Sequence, residues 1–152
     1  MTKSTRVSLA VAAVLGVMAA FPAVSGEAAP TGIPCSAVTF HQDFIRAYPN
    51  APAACRGVVE KNGNKIVHFV ADVVDVTGGT VRVNFLNVRD TVIANTQPLV
   101  FTPSPTLNLS VNGKPKAVKD LKRGDRLDFW VPEGRLGIIT DPSSDAVTAI
   151  KL

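Results

Sequence analysis

The stretch KIVHFVADVVDVTGGTVRV, residues 65–83, decides the fold. It consists of two valine-rich runs joined by Gly78-Gly79, the pattern of a tight antiparallel hairpin. Closing the chain at the two glycines sets Val76 opposite Val81 and Val74 opposite Val83 on one face, with Asp75 opposite Arg82 on the other. Apolar residues then meet apolar residues and opposite charges meet, which fixes the register. The first run is long for a flat strand and its alternation slips near Asp72, so a bend or bulge is expected there.

Asn62-Gly63 and Asn112-Gly113 are further hairpin turns on either side of this stretch. The second opposes Leu107, Leu109 and Val111 with Val118, Lys116 and Lys114, and Pro115 among those lysines marks a protected edge strand. Closing at Glu133-Gly134 places Val131 opposite Leu136, Phe129 opposite Ile138 and Trp130 opposite Gly137. Strands are expected near 56–60, 65–76, 80–87, 97–102, 106–111, 114–118, 126–132, 136–140 and 146–151. The fold class is therefore mainly β: a small antiparallel β-barrel or sandwich over residues 56–152.

Residues 1–25 differ in kind. Lys3 and Arg6 precede an apolar run from Val7 to Val24 broken only by Ser8, Gly16 and Pro22, and Ala23-Val24-Ser25 supplies the small residues of a cleavage site. This is the order of a secretory signal peptide, with cleavage expected after Ser25. A retained membrane anchor is the rival reading, but the run is at the short end for a bilayer span of about 20 residues. A periplasmic or secreted protein is expected, with no stable membrane insertion after cleavage. Loss of Lys3 and Arg6 lowers the formal net charge from +4 to +2, which weakens any general affinity for polyanions.

Residues 26–55 form a helical segment tied by a disulfide in this reading. Cys35 and Cys55 are the two cysteines of the chain, and in an oxidising compartment such a pair bonds. Between them, Thr39 and Gln42 fit a capping box, Phe40, Phe44 and Tyr48 recur at four-residue spacing, and Pro49 ends the helix.

The remaining charge is concentrated. Lys114, Lys116, Lys119, Lys122, Arg123 and Arg126 face only Asp120 and Asp125 in the same stretch. The segment Asp120-Leu121-Lys122-Arg123-Gly124-Asp125, read as D-L-K-x-G-D leading into a strand, resembles the turn of small secreted bacterial β-barrel domains of OB-like or SH3-like type, whose function is unknown. The resemblance covers residues 56–131 and implies a small barrel in which Leu121 points inward and Gly124 supplies the turn conformation. OB-like barrels often bind oligonucleotides on an aromatic and basic strand face; this chain shows no such face, and nucleic acid is not an expected partner.

No nucleophile elbow, phosphate-binding glycine loop or zinc-protease helix occurs in the sequence. No catalytic residue, cofactor or metal is expected. The leading functional expectation is an exported, non-enzymatic binding or accessory module of the bacterial envelope that recognises a protein or an anionic component. Its surface would comprise Lys114, Lys116, Lys119, Lys122 and Arg123, with Trp130 and Arg135. A second reading is a small secreted inhibitor or structural component presenting Phe44, Tyr48 and the proline turn; a third is a hydrolase using His68 and Asp72.

Overall fold

The computed structural model describes residues 32–141 and 143–152, so the expected signal segment 1–25 lies outside the described residues. Helix α1 spans Gln42–Ala47, between short 3-10 turns at Cys35–Ala37 and Ala51–Ala54. The strands are β1 Gly57–Lys61, β2 Asn64–Thr77, β3 Thr80–Phe85, β4 Leu99–Phe101, β5 Asn108–Val111, β6 Lys114–Ala117, β7 Arg126–Pro132 and β8 Ile150–Lys151, with a 3-10 turn at Val118–Asp120. They form one antiparallel sheet in the order β6-β5-β7-β2-β3-β4-β8, with β1 paired to β2 beside this path.

The sheet is not closed, which corrects the barrel expectation. The edge strands explain why: β6 carries Pro115, which has no N–H for a ladder, and β8 is two residues long. Strand β2 organises the rest. Its first half pairs with β1 (Gly57 opposite His68), its second half pairs with β3 (Ala71 opposite Phe85), and β7 runs along its other edge from Ile66 to Asp72.

The expected hairpins form at Asn62-Gly63, Gly78-Gly79 and Asn112-Gly113, and all six turn residues have positive φ. Val111 faces Lys114 and Leu109 faces Lys116 as the pattern requires. At the glycine hairpin Asp75 opposes Arg82 and Val76 opposes Val81, but the register then shifts between Val73 and Asp75, so Val73 rather than Val74 meets Val83. The bulge sits slightly beyond the expected Asp72. Its backbone groups are taken up by the turn before β7: Val73 N donates to Asp125 O, Gly124 N to Val73 O, and Arg123 Nε to Val74 O.

The hairpin expected at Glu133-Gly134 is corrected. Residues 136–140 form isolated bridges instead of a strand, and Trp130 pairs with Ile139, not Gly137. The local turn does not set this register, because distant segments hold it: Glu133 N donates to Lys65 O and Gly134 N to Thr39 O. Gly137 has a different task. At its φ of +146° a Cβ would lie 2.5 Å from Val147 Cγ1, so the bare glycine lets residue 147 close down on the chain.

One face of the sheet carries Val67, Phe69, Ala71, Val83, Phe85, Leu127, Phe129 and Val131 into a single core. α1 covers this face. Phe44 and Tyr48 are buried against Phe85, with ring centroids 6.4 and 5.5 Å away, and Phe69 and Phe129 stack at 5.5 Å. The Cys35–Cys55 disulfide ties the ends of the helical segment. His41, not Thr39, caps α1: its Nδ1 accepts from Asp43 N, while Thr39 N donates to Glu133 Oε1. Of the surface named in the inhibitor reading, Phe44 and Tyr48 are buried and the proline turn at Pro49 and Pro52 is exposed.

Candidate functional site

The residues expected to form one basic surface are distributed over two ends and one face. Lys114 and Lys116 lie on β6, Lys119 on the following 3-10 turn, and Lys122 and Arg123 in the turn before β7. These five form a cationic end. Arg135 follows the far end of β7, and Trp130 stands midway on the face opposite the core.

Within the cationic end two groups have structural duties. Lys116 Nζ bonds Asp125 Oδ2 at 2.6 Å, and the Lys122 amide donates to the same oxygen at 2.8 Å. The hydrogen bond from Lys116 holds the Asp125 carboxyl below the usual aspartate range. Arg123 caps the bulge carbonyl of Val74. Lys114, Lys119 and Lys122 are exposed and have no ion-pair partner among the described residues. Asp120 is the exposed carboxylate nearby. The turn itself matches the pattern read from the sequence, since Leu121 is buried and Gly124 has a φ of +85°.

The face opposite the core bears a second group of side chains. His68 and Trp130 are directly cross-strand and their rings stack, with centroids 5.3 Å apart and planes 20° apart. His68 Nε2 lies 2.9 Å from Asp128 Oδ1, and Ser110 Oγ donates to Asp128 Oδ2 at 3.4 Å. A nucleophilic relay needs the imidazole between hydroxyl and carboxylate. Here the carboxylate stands between the other two. The His68–Asp72 pair of the hydrolase reading does not form, because Asp72 lies 3.7 Å from Arg126 Nε. Arg126 also binds Asp90 at 3.0 Å, and Asp90 receives Arg56 at 2.7 Å. The Arg56 hydrogen bond is the main reason that the Asp90 carboxyl is held below its ordinary range.

Farther along this face, a cleft of about 260 Å³ is lined by Ile66, Pro132, Ile139 and Val147 together with the polar and charged residues Lys61, Asn62, Asn64, Glu133, Arg135 and Asp145. Sequence reasoning missed both the His68–Asp128 pair and this cleft. His68 and Asp128 occupy alternating outward positions, which a period-two pattern reveals; which strands lie side by side is not encoded in that pattern.

Comparison with protein-family models, curated proteins and solved structures finds no match for this chain.

Proposed function

We propose that this protein is an exported, non-enzymatic binding or accessory module that recognises an anionic partner, protein or envelope component, through its cationic end. The observation that carries the reading is the contrast within that end: Asp125 is engaged by Lys116 and feels the charge of exposed Lys122, while Lys114 and Lys119 stay exposed without an ion-pair partner among the described residues. Their backbone is fixed by the Asn112-Gly113 hairpin and by the turn docked on the β2 bulge, so binding need order only the side chains. The core face is filled by α1 and an aromatic cluster, which favours recognition on the surface. The disulfide suits an oxidising compartment.

The test is a charge-reversed variant carrying Lys114→Glu, Lys119→Glu and Lys122→Glu. Its capture of partners from envelope extracts should fall at least tenfold, and wild-type capture should weaken steeply with salt. Capture that is unchanged by the reversal and by salt would overturn the reading. Export is checked separately by the mass of the protein recovered outside the cytoplasm, which should lack residues 1–25.

A further inference from the structure

We propose that the cleft beside Arg135 binds a small apolar ligand through its terminal carboxylate. This site is independent of the cationic end and goes beyond the function proposed above. Ile66, Pro132 and Ile139 are buried on the face opposite the core, and with Val147 they form one apolar wall of the cleft, whose remaining lining is polar and charged. Gly137 is what brings Val147 close, since no side chain could occupy that position.

The charges on the rim are selective. Lys61 pairs with Asp145 at 2.8 Å, and Glu133 is engaged by Lys65 at 3.5 Å and by the Thr39 amide at 3.1 Å. Arg135 is exposed and has no ion-pair partner among the described residues. Its turn is pinned by bonds from Glu133 N to Lys65 O, Gly134 N to Thr39 O and Arg135 N to Pro132 O. An exposed guanidinium on a pinned turn beside an apolar wall matches a carboxylate attached to a hydrocarbon group, because the fork of N–H donors fits two carboxylate oxygens. At about 260 Å³ the cleft lies just below the range of about 300–1,000 Å³ for drug-sized ligands, so its occupant is small. A medium-chain fatty acid and the C-terminal residue of a peptide share this chemistry.

The reporter is built in: Trp130 is the only tryptophan and is the bridge partner of Ile139, which lines the cleft. The disulfide-bonded chain is titrated at neutral pH with octanoate, with N-acetyl-glycyl-leucine and with octanol. Readouts are Trp130 fluorescence and the methyl resonances of Ile66, Ile139 and Val147. One or both carboxylates should bind and shift those methyls, and the tighter of the two identifies the source. Arg135→Gln should weaken carboxylate binding about tenfold, Arg135→Lys should restore part of it, and neither should affect octanol. An unchanged unfolding midpoint shows that the exposed substitution leaves the fold intact. The charge reversal at Lys114, Lys119 and Lys122 should leave octanoate binding unaltered. The proposal fails if neither carboxylate binds at about 10 mM, if Arg135→Gln makes no difference, or if the shifted methyls lie elsewhere.

Discussion

The two faces of β2 keep water away by different means. Toward the core, Phe69 is fully buried among rings from α1, β3 and β7, all apolar. Toward the other side, Val70 is almost as buried, at 7% exposure, yet its neighbours include Asp128 across the rung and Asp72 two residues on. That face is crossed by the ion-pair chain Arg56–Asp90–Arg126–Asp72. Burial alone therefore does not distinguish a structural face from one available for recognition. The difference lies in what does the burying: a close-packed aromatic layer on one side, and on the other the stems and pairs of long polar side chains around a cleft and a half-buried ring stack.

The sharpest way to break this contrast is to truncate equivalent positions on the two faces. Phe69→Ala should cost about 3–5 kcal/mol in urea unfolding, because no neighbour can fill the space left between stacked rings. Val70→Ala, one residue along, should cost about 1–2 kcal/mol, as the loss of roughly two methylene equivalents at a more adaptable site. An equal cost per deleted methylene at the two positions would mean that the outer face is as tightly packed as the core. Between these lies the tether of α1: replacing Cys35 and Cys55 together by serine should lower stability by about 3 kcal/mol, from the entropy of an opened loop of 20 residues. The melting of the aromatic cluster, followed by near-ultraviolet circular dichroism, should shift with it.

Acid should act on the polar side of the molecule with a smaller effect. Asp90 and Asp125 both have carboxyls held below the ordinary aspartate value of about 3.9. The unfolded chain thus takes up protons before the folded one, and stability present above about pH 4 is lost as the pH falls through the folded values. These two groups contribute no pH dependence between about 5 and 8. Asp90→Asn and Asp125→Asn should each flatten the decline in urea midpoint between about pH 4 and 2, with a full decline in both variants excluding these pairs as its source. Smallest of all is the change expected at the exposed lysines: the reversal at Lys114, Lys119 and Lys122 should alter stability by no more than about 0.5 kcal/mol each, even where it abolishes partner capture.

Much of the strand plan was legible because it is local. A two-residue turn with Asn-Gly or Gly-Gly has few backbone solutions, and the period-two pattern then favours one register; β5–β6 follows it, and β2–β3 follows it from the turn as far as Asp75, where the bulge shifts it. Gly124 and Leu121 behaved as their turn pattern implied. The readings that changed depend on contacts across the chain. Glu133-Gly134 looks like a hairpin turn, but its amides are satisfied by Thr39 and Lys65, and Trp130 consequently meets Ile139. Thr39 looks like a helix cap, but its amide is drawn to Glu133 and His41 takes the capping role. The basic residues look like a single patch, yet Lys116 and Arg123 are occupied and Arg135 stands at the other end of β7.

Sequence by itself determined a mainly antiparallel β-sheet, the positions of its tight turns, a bulge in the long strand and a disulfide before the sheet. These follow from backbone sterics at glycine and asparagine, from the two-residue period of a pleated strand, and from the chemistry of a cysteine pair. Tertiary structure alone decided that the sheet stays open, that His68 finds Asp128 and not Asp72, and that Arg135 borders a partly apolar cleft. Those outcomes depend on which strands become neighbours and on where each buried polar group finds its partner, choices settled by the free energy of the whole packed chain and not by any short segment of it.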